Sequence, residues 1–214
     1  MGTTFSGGMA SPDFAGLRCQ VIDGCLVLTP APPPEHRRIR DRLRELLTAA
    51  LPATARAIAP VVVLLPDGDR PASDLAVCDA AGVVVPARRV HTVVDVVAPR
   101  TRRFTRGRKR DLYAEAGIPC FWRIEPEAWP GYDGPLPVIA VRVRERGRWR
   151  ELVVPAGRER DVPVVVGRSP GRAEVVTVRF DPAVLTADGS AVTVAPWRSV
   201  SPPSSPAHSR RSVT

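Results

Sequence analysis

Two carboxylates and a lysine stand where apolar side chains are expected. Asp95 lies in the middle of the run VVDVVAP, residues 93–99. A charge taken out of water without a partner costs more than its neighbours' burial returns. Asp95 is therefore a paired structural charge or one wall of a functional site. Asp74 is set in the same way near the start of ASDLAVCDA, residues 72–80. Consecutive strands usually pair, and two carboxylates facing one side of neighbouring strands would raise each other's pKa. A divalent cation between them removes that penalty. Mg²⁺ (or Mn²⁺) suits the place, because a hard cation prefers oxygen ligands and is often held by one or two carboxylates plus water and phosphate oxygens. Lys109 supplies an amine. It shares a helical face with Leu112, Tyr113 and Ala116, the face turned towards the sheet. Two acids, one inward lysine and a metal suit phosphodiester hydrolysis. The metal lowers the pKa of a water and polarises a phosphoryl oxygen, and the ammonium orients that water or offsets the phosphate's charge. The plainer reading is that the aspartates are structural, satisfied by backbone N–H groups or arginines, and that Lys109 is solvated.

The elements that must position these groups are legible. RCQVIDGCLVLTP predicts two short strands joined at Asp23-Gly24, a strong hairpin signal. After a run of prolines, Ile39, Leu43, Leu46, Leu47 and Ala50 recur at helical spacing, and Pro52 ends that helix. Strands are expected at 58–65, 72–80 and 89–99. A second helix is expected over TRRFTRGRKRDLYAEAG, closed by Gly117 and Pro119. CFWRIEP reads as a strand, VIAVRVRERGRWRELVVP as a hairpin, AEVVTVRF as a further strand and DPAVL as a helical turn. Residues 1–13 are expected to be mobile, 14–195 to form one domain, and the Ser, Pro and Arg-rich tail 196–214 to be disordered.

Composition bounds the function more loosely. The 214 residues carry a formal charge of +9, with 31 Lys plus Arg against 22 Asp plus Glu, which favours anionic partners such as nucleic acid. Lys109 is the only lysine, and abundant Arg, Ala, Val and Pro also suit a GC-rich genome. The four cysteines, at 19, 25, 78 and 120, form no CxxC pair and read as small core hydrophobes rather than zinc ligands. The start MGTTFSGGMA lacks the pattern of a secretion signal, and no apolar run is long enough to span a bilayer. A reduced cytoplasmic protein with no membrane partner is the expectation.

These residues resemble a known family. The order of a strand with Asp, a strand with an acid and a helix with Lys and Tyr is similar to the Uma-type putative restriction endonuclease family, of the PD-(D/E)XK nuclease superfamily. VIDGCLVLTPAPPPEHRRIRDRLRELL looks like that family's opening hairpin and first helix, including His36. RPASDLAV looks like the segment carrying its first metal-binding aspartate, here Asp74. VVDVVAPRTRRFTRGRKRDLYAEAGIPCFWRIEPE resembles its most recognisable stretch through Asp95, Pro99, Thr101, Lys109, Tyr113, Ala116-Gly117 and Trp122. The resemblance spans about Leu17 to Leu185.

It implies an α+β domain with a restriction-endonuclease-like core, a mixed, curved central sheet flanked by helices. It also implies metal-dependent cleavage of phosphodiester bonds, with DNA as partner and room for a homodimer. Asp74 and Asp95 would bind the metal with Gln20 as a neutral ligand, and Lys109 would position the attacking water. Arg102, Arg103, Arg106 and Arg108 would hold phosphates, and Tyr113 and His36 would support the site. Several positions depart from the family pattern. Asp95 stands where Glu is usual, Ser73 where Pro is usual, Thr105 where Asp is usual, and Gln20 where an acid is frequent. Val97 occupies the superfamily's usual lysine position, so Lys109 must deliver the amine from the helix. The alternative function is a catalytically inactive nuclease-fold protein that binds nucleic acid or another protein.

Overall fold

The structure, a computed structural model, describes residues 13–14, 16–145, 147–169, 172–187 and 198–199. The segments 1–13 and 196–214 lie outside those residues apart from Asp13, Arg198 and Ser199, which sit in strands. Along the chain come β1 (Asp13–Phe14), β2 (Leu17–Ile22), β3 (Cys25–Pro30), α1 (Pro34–Ala50), β4 (Arg56–Ile58), β5 (Val61–Leu64), β6 (Ala72–Ser73), β7 (Leu75–Cys78), β8 (Val84–Pro86) and β9 (Val90–Val96). Then follow α2 (Arg102–Arg106), α3 (Arg108–Glu115), β10 (Cys120–Glu125), β11 (Val138–Glu145), β12 (Arg148–Pro155), β13 (Arg160–Ser169), β14 (Arg172–Phe180) and β15 (Arg198–Ser199).

The central sheet has the order β12-β11-β10-β9-β7-β4. β9 and β10 run parallel and the other neighbours antiparallel. A parallel pair needs a crossover connection, and α2 with α3 supplies it. All seven residues of β9 are buried, which is why its sequence is almost continuously apolar. On one face of the sheet, α1 packs Ile39, Leu43, Leu46, Leu47 and Ala50 against Leu75, Val94, Trp122 and the inner residues of β13 and β14. On the other face, Leu112 and Tyr113 of α3 cover Ala76, Val93 and Phe121. The architecture is the mixed α+β one that the sequence predicts.

Local chemistry explains the elements that matter to function. The β2–β3 turn places Asp23 at φ 51° and Gly24 at φ 72°, the left-handed pair that a two-residue hairpin requires. Asp69 accepts hydrogen bonds from both of their N–H groups, at 2.6 and 2.9 Å. Pro34 opens α1 at a position where a missing N–H costs nothing.

Five expectations change. The run 72–80 is two strands in different sheets, Ala72–Ser73 and Leu75–Cys78, separated at Asp74. The run 58–65 is two strands, because Pro60 has no N–H to continue a ladder. The second helix is broken at Gly107 (φ −109°, ψ −91°) into α2 and α3. β13 was not expected. Pro163 and Gly167 interrupt its sequence, but β13 is the outer strand of the order β13-β14-β15, where proline is tolerated. Of the cysteines, Cys78 and Cys120 are buried, while Cys19 is half-buried and Cys25 is exposed.

Among the described residues no helix is long and apolar enough to cross a membrane. Leu43 is fully enclosed between α1 and the sheet. Leu43→Ala is expected to cost about 2–5 kcal/mol, read as a lower urea midpoint with an unchanged slope.

Candidate active site

The two acids meet where β7 and β9 pair. Leu75 lies opposite Val94, so Asp74, one residue before β7, projects beside Asp95 and Val96. Each carboxylate then takes an N–H from the other strand. Asp74 Oδ2 accepts from Val96 N at 2.8 Å, and Asp95 Oδ1 accepts from Asp74 N at 3.3 Å. Ser73 tightens the junction by donating its hydroxyl to the Val94 carbonyl at 2.9 Å. Asp74 and Asp95 are 2% and 1% exposed, so both need compensation.

Three basic side chains from three elements provide it. Lys109 on α3 donates from Nζ to Asp95 Oδ1 at 3.0 Å and to the Ala72 carbonyl at 2.5 Å. Arg18 on β2 donates to Asp74 Oδ1 at 2.7 Å. His36, in the first turn of α1, brings Nε2 to 2.9 Å from Asp74 Oδ2. Burial alone would push the Asp74 carboxyl up. The positive charge of Arg18, the contact with His36 and the charge of Lys109 outweigh burial and hold it well below the usual carboxylate range. Tyr113 is buried beside them, and burial first, then the Asp95 charge, raises its phenol well above the ordinary value. It is a core aromatic against Phe121, with ring centroids 5.6 Å apart.

The remaining expected residues divide. Gln20 is buried on the inner face of β2, and its Oε1 accepts from Ala72 N at 3.3 Å. Arg102 and Arg103 are exposed on α2. Arg106 instead forms a double hydrogen bond to buried Glu125, at 2.8 and 2.7 Å, with its guanidinium 5.4 Å from the Trp129 ring centroid. Arg108 pairs with Asp23 and Glu115. These two arginines are committed to carboxylates of the fold itself. Sequence reasoning missed Arg18 altogether. The period-2 alternation of LRCQVI puts Arg18, Gln20 and Ile22 on one face, which was the available signal. It gave His36 a supporting role without identifying Asp74 as its partner, and gave no weight to Glu125.

Arg18, Gln20, His36, Asp74 and Lys109 line a cavity of about 350 Å³. Asp95, held by Lys109, is not part of its wall. Among the described residues no group of three or more His, Cys, Asp or Glu side chains is set to hold a metal ion. The donor chemistry nevertheless suits a hard cation. Asp95 Oδ2 is buried with no hydrogen-bond partner among the described residues, an atom whose desolvation is otherwise uncompensated. The neighbouring donors are carboxylate and amide oxygens, the kind Mg²⁺ takes, and Mg²⁺ needs only one or two carboxylates from the protein. Asp74 is already engaged, yet a carboxylate offers about four lone-pair positions.

Residues 9–166 match the Uma2 family, described as putative restriction endonuclease. No curated protein matches the chain. Among solved structures, the chain is similar to the crystal structure of a putative nuclease from Anabaena variabilis. The two are 14% identical, with a TM-score of 0.55, over 72% of this chain and 84% of that one. At that identity the likeness is one of fold. The match stops at residue 166, inside β13, short of the Leu185 reached by the resemblance read from sequence.

The depressed Asp74 pKa ties stability to pH. The ion-paired carboxylate stabilises the fold fully above the ordinary value of 3.8, and that contribution fades as pH falls below it towards the lower folded value. With a chelator present, Asp74→Asn is expected to be about 3–5 kcal/mol less stable than wild type at pH 7, because it leaves Arg18 buried beside a neutral amide. The gap should narrow as pH drops below 3.8. Urea unfolding at pH 7 and at a series of acid pH values measures it. A constant gap would show that Asp74 titrates alike in the folded and unfolded chain.

Proposed function

The chain belongs to the Uma2 family of putative restriction endonucleases, and on that footing we propose that it is a nuclease that hydrolyses phosphodiester bonds in DNA with the help of Mg²⁺ or Mn²⁺. The observation that carries this reading is the junction of Asp74, Asp95 and Lys109: Asp74 and Lys109 line the cavity, both are hydrogen-bonded to Asp95, and Asp95 Oδ2 is left without a partner among the described residues. Family membership and a shared fold support nuclease chemistry; the oxygen donors beside Asp95 Oδ2 support the metal, and the exposed arginines of α2 support the DNA substrate.

Asp74 and Asp95 would hold the cation, with the Gln20 amide oxygen as a neutral donor. A bound Mg²⁺ supplies positive charge for the phosphoryl oxygens and lowers the pKa of water. The protein's own groups do the rest. An ammonium has three N–H donors, and Lys109 spends two on Asp95 and the Ala72 carbonyl. The third is left for a phosphate oxygen or for the attacking water in the cavity that Lys109 lines. The oxygen of that water joins phosphorus, one ester P–O bond breaks, and the leaving oxygen takes up a proton. The products are a phosphate monoester and a free hydroxyl. Arg18 keeps Asp74 ionised and fixed in place. Arg102 and Arg103, exposed on α2, would hold flanking phosphates, giving affinity that falls with salt.

One observation favours the second reading, a binding module without turnover. Both oxygens of Asp74 already meet basic partners, Arg18 and His36, and that charge balance also stands without a metal.

A cleavage assay with Mg²⁺ separates the two. Wild type is expected to cut DNA, EDTA to abolish cutting, and Asp74→Ala and Lys109→Ala each to slow it by about 10²–10³-fold, with folding checked by circular dichroism. Equal cleavage by wild type and Asp74→Ala would remove the proposed site. DNA binding without cleavage, unchanged in both variants, would establish the binding module.

A further inference from the structure

The shape of the cavity says which form of nucleic acid can reach the acids. We propose that the site acts on an unpaired nucleotide, so that single strands, frayed ends and unpaired segments are its substrates and intact duplex is not. This rests on the nuclease reading and specifies its substrate.

The polar groups of the site lie deep. Asp74 is 2% exposed, Gln20 and Lys109 5%, His36 6% and Arg18 9%. A phosphate passing over the protein surface does not touch them; it has to enter the cavity. A volume of about 350 Å³ sits near the bottom of the range of roughly 300–1,000 Å³ seen for pockets that take one small ligand. One nucleotide fits such a space. A base pair with both its backbones does not, and a paired nucleotide cannot follow its phosphate inward without leaving the stack. Enzymes that reach into a duplex base pay this cost by extruding it, and the cost is least where the base is already single-stranded.

The walls match the rest of an unpaired nucleotide. The same wall includes Pro30, Pro32 and Pro33, with Pro99 and Phe104. Prolines carry no N–H, so these residues offer apolar surface without backbone donors. They can cover the face of a base. Phe104 is the one Phe, Tyr or Trp among the residues lining the wall, and stacking on such a ring is the sequence-tolerant way to hold a single-stranded base. The lining thus combines basic groups for the phosphate with apolar surface for the base. Phe104 is the specificity residue for unpaired substrate, because a base still in its duplex stack has no free face to offer it. The same chemistry is presented by DNA and by RNA, which the cavity wall does not distinguish.

The test uses the full chain and labelled oligonucleotides of one sequence: single-stranded DNA, blunt duplex, duplex with a central unpaired bubble, and single-stranded RNA, each with Mg²⁺. Single-stranded DNA is expected to be cut about 10-fold faster than the duplex or more, with bubble cleavage confined to the unpaired stretch. Phe104→Ala should raise KM for the single strand at least about 5-fold and leave kcat within about 2-fold. Phe104→Leu, which keeps an apolar side chain against the neighbouring core, serves if the alanine variant unfolds. Cutting of RNA but not DNA single strands supports the unpaired nucleotide and moves the substrate to RNA. Duplex cut as fast as single strand overturns the proposal and leaves the nuclease reading standing. If nothing is cut, the nuclease reading fails, and binding of the same oligonucleotides by fluorescence anisotropy decides. Tighter binding of single strands supports the unpaired-nucleotide cavity, whereas equal affinity, preference for duplex or no binding overturns it.

Discussion

The fold depends on one reciprocal arrangement. The carboxylate of Asp74 takes the N–H of Val96, and the carboxylate of Asp95 takes the N–H of Asp74. Two charges that would repel across a strand pair are thereby held together by the backbone that carries them. The junction occurs where the edge of β7 gives out and an ordinary ladder bond would be lost. Side-chain oxygens replace carbonyls as acceptors, and the sheet continues without orphaned N–H groups. The cost is two carboxylates inside the protein, and the surrounding structure is organised to meet it.

Three separate parts of the chain meet that cost. The hairpin turns the inner face of β2 towards the site and delivers Arg18. The first turn of α1 delivers His36, fixed by a helix whose opposite end is locked into the core. α3, which starts after the break at Gly107, delivers Lys109. The break gives α2 and α3 separate axes. Lys109, Leu112 and Tyr113 then face the sheet together, while α2 is tied separately through Arg106 to Glu125 at the end of β10. Glu125 is itself fully buried and also meets Arg123. It forms a second, independent charge cluster that anchors the crossover connection on which the position of Lys109 rests.

The same burial that makes these groups expensive makes them useful. Charges held in place in a low-dielectric cavity act on a bound anion more strongly than charges in water. They also need no reordering when a phosphate arrives. Removing any one partner leaves another charge exposed to the interior, so stability and site geometry are coupled residue by residue.

Much of this was legible in the sequence, for definite reasons. The Asp23-Gly24 turn, α1 and the apolar β9 follow from local rules of backbone conformation and periodicity, which need no knowledge of distant residues. Asp74, Asp95 and Lys109 stood out because each is a charge in a segment that otherwise demands burial. The broken helix, the strand Arg160–Ser169 and the commitment of Arg106 and Arg108 to carboxylates were not legible. Each depends on partners far along the chain, such as Glu125, 19 residues from Arg106, or Asp23, 85 residues from Arg108. Arg18 shows the division most clearly. Alternation determined that it faces inward with Gln20, but only packing of the hairpin against Arg70 and β6 decided that its partner is Asp74, 56 residues away. Local patterning sets which face a side chain takes, whereas pairing between distant charges is decided by the tertiary contacts that exclude water from both.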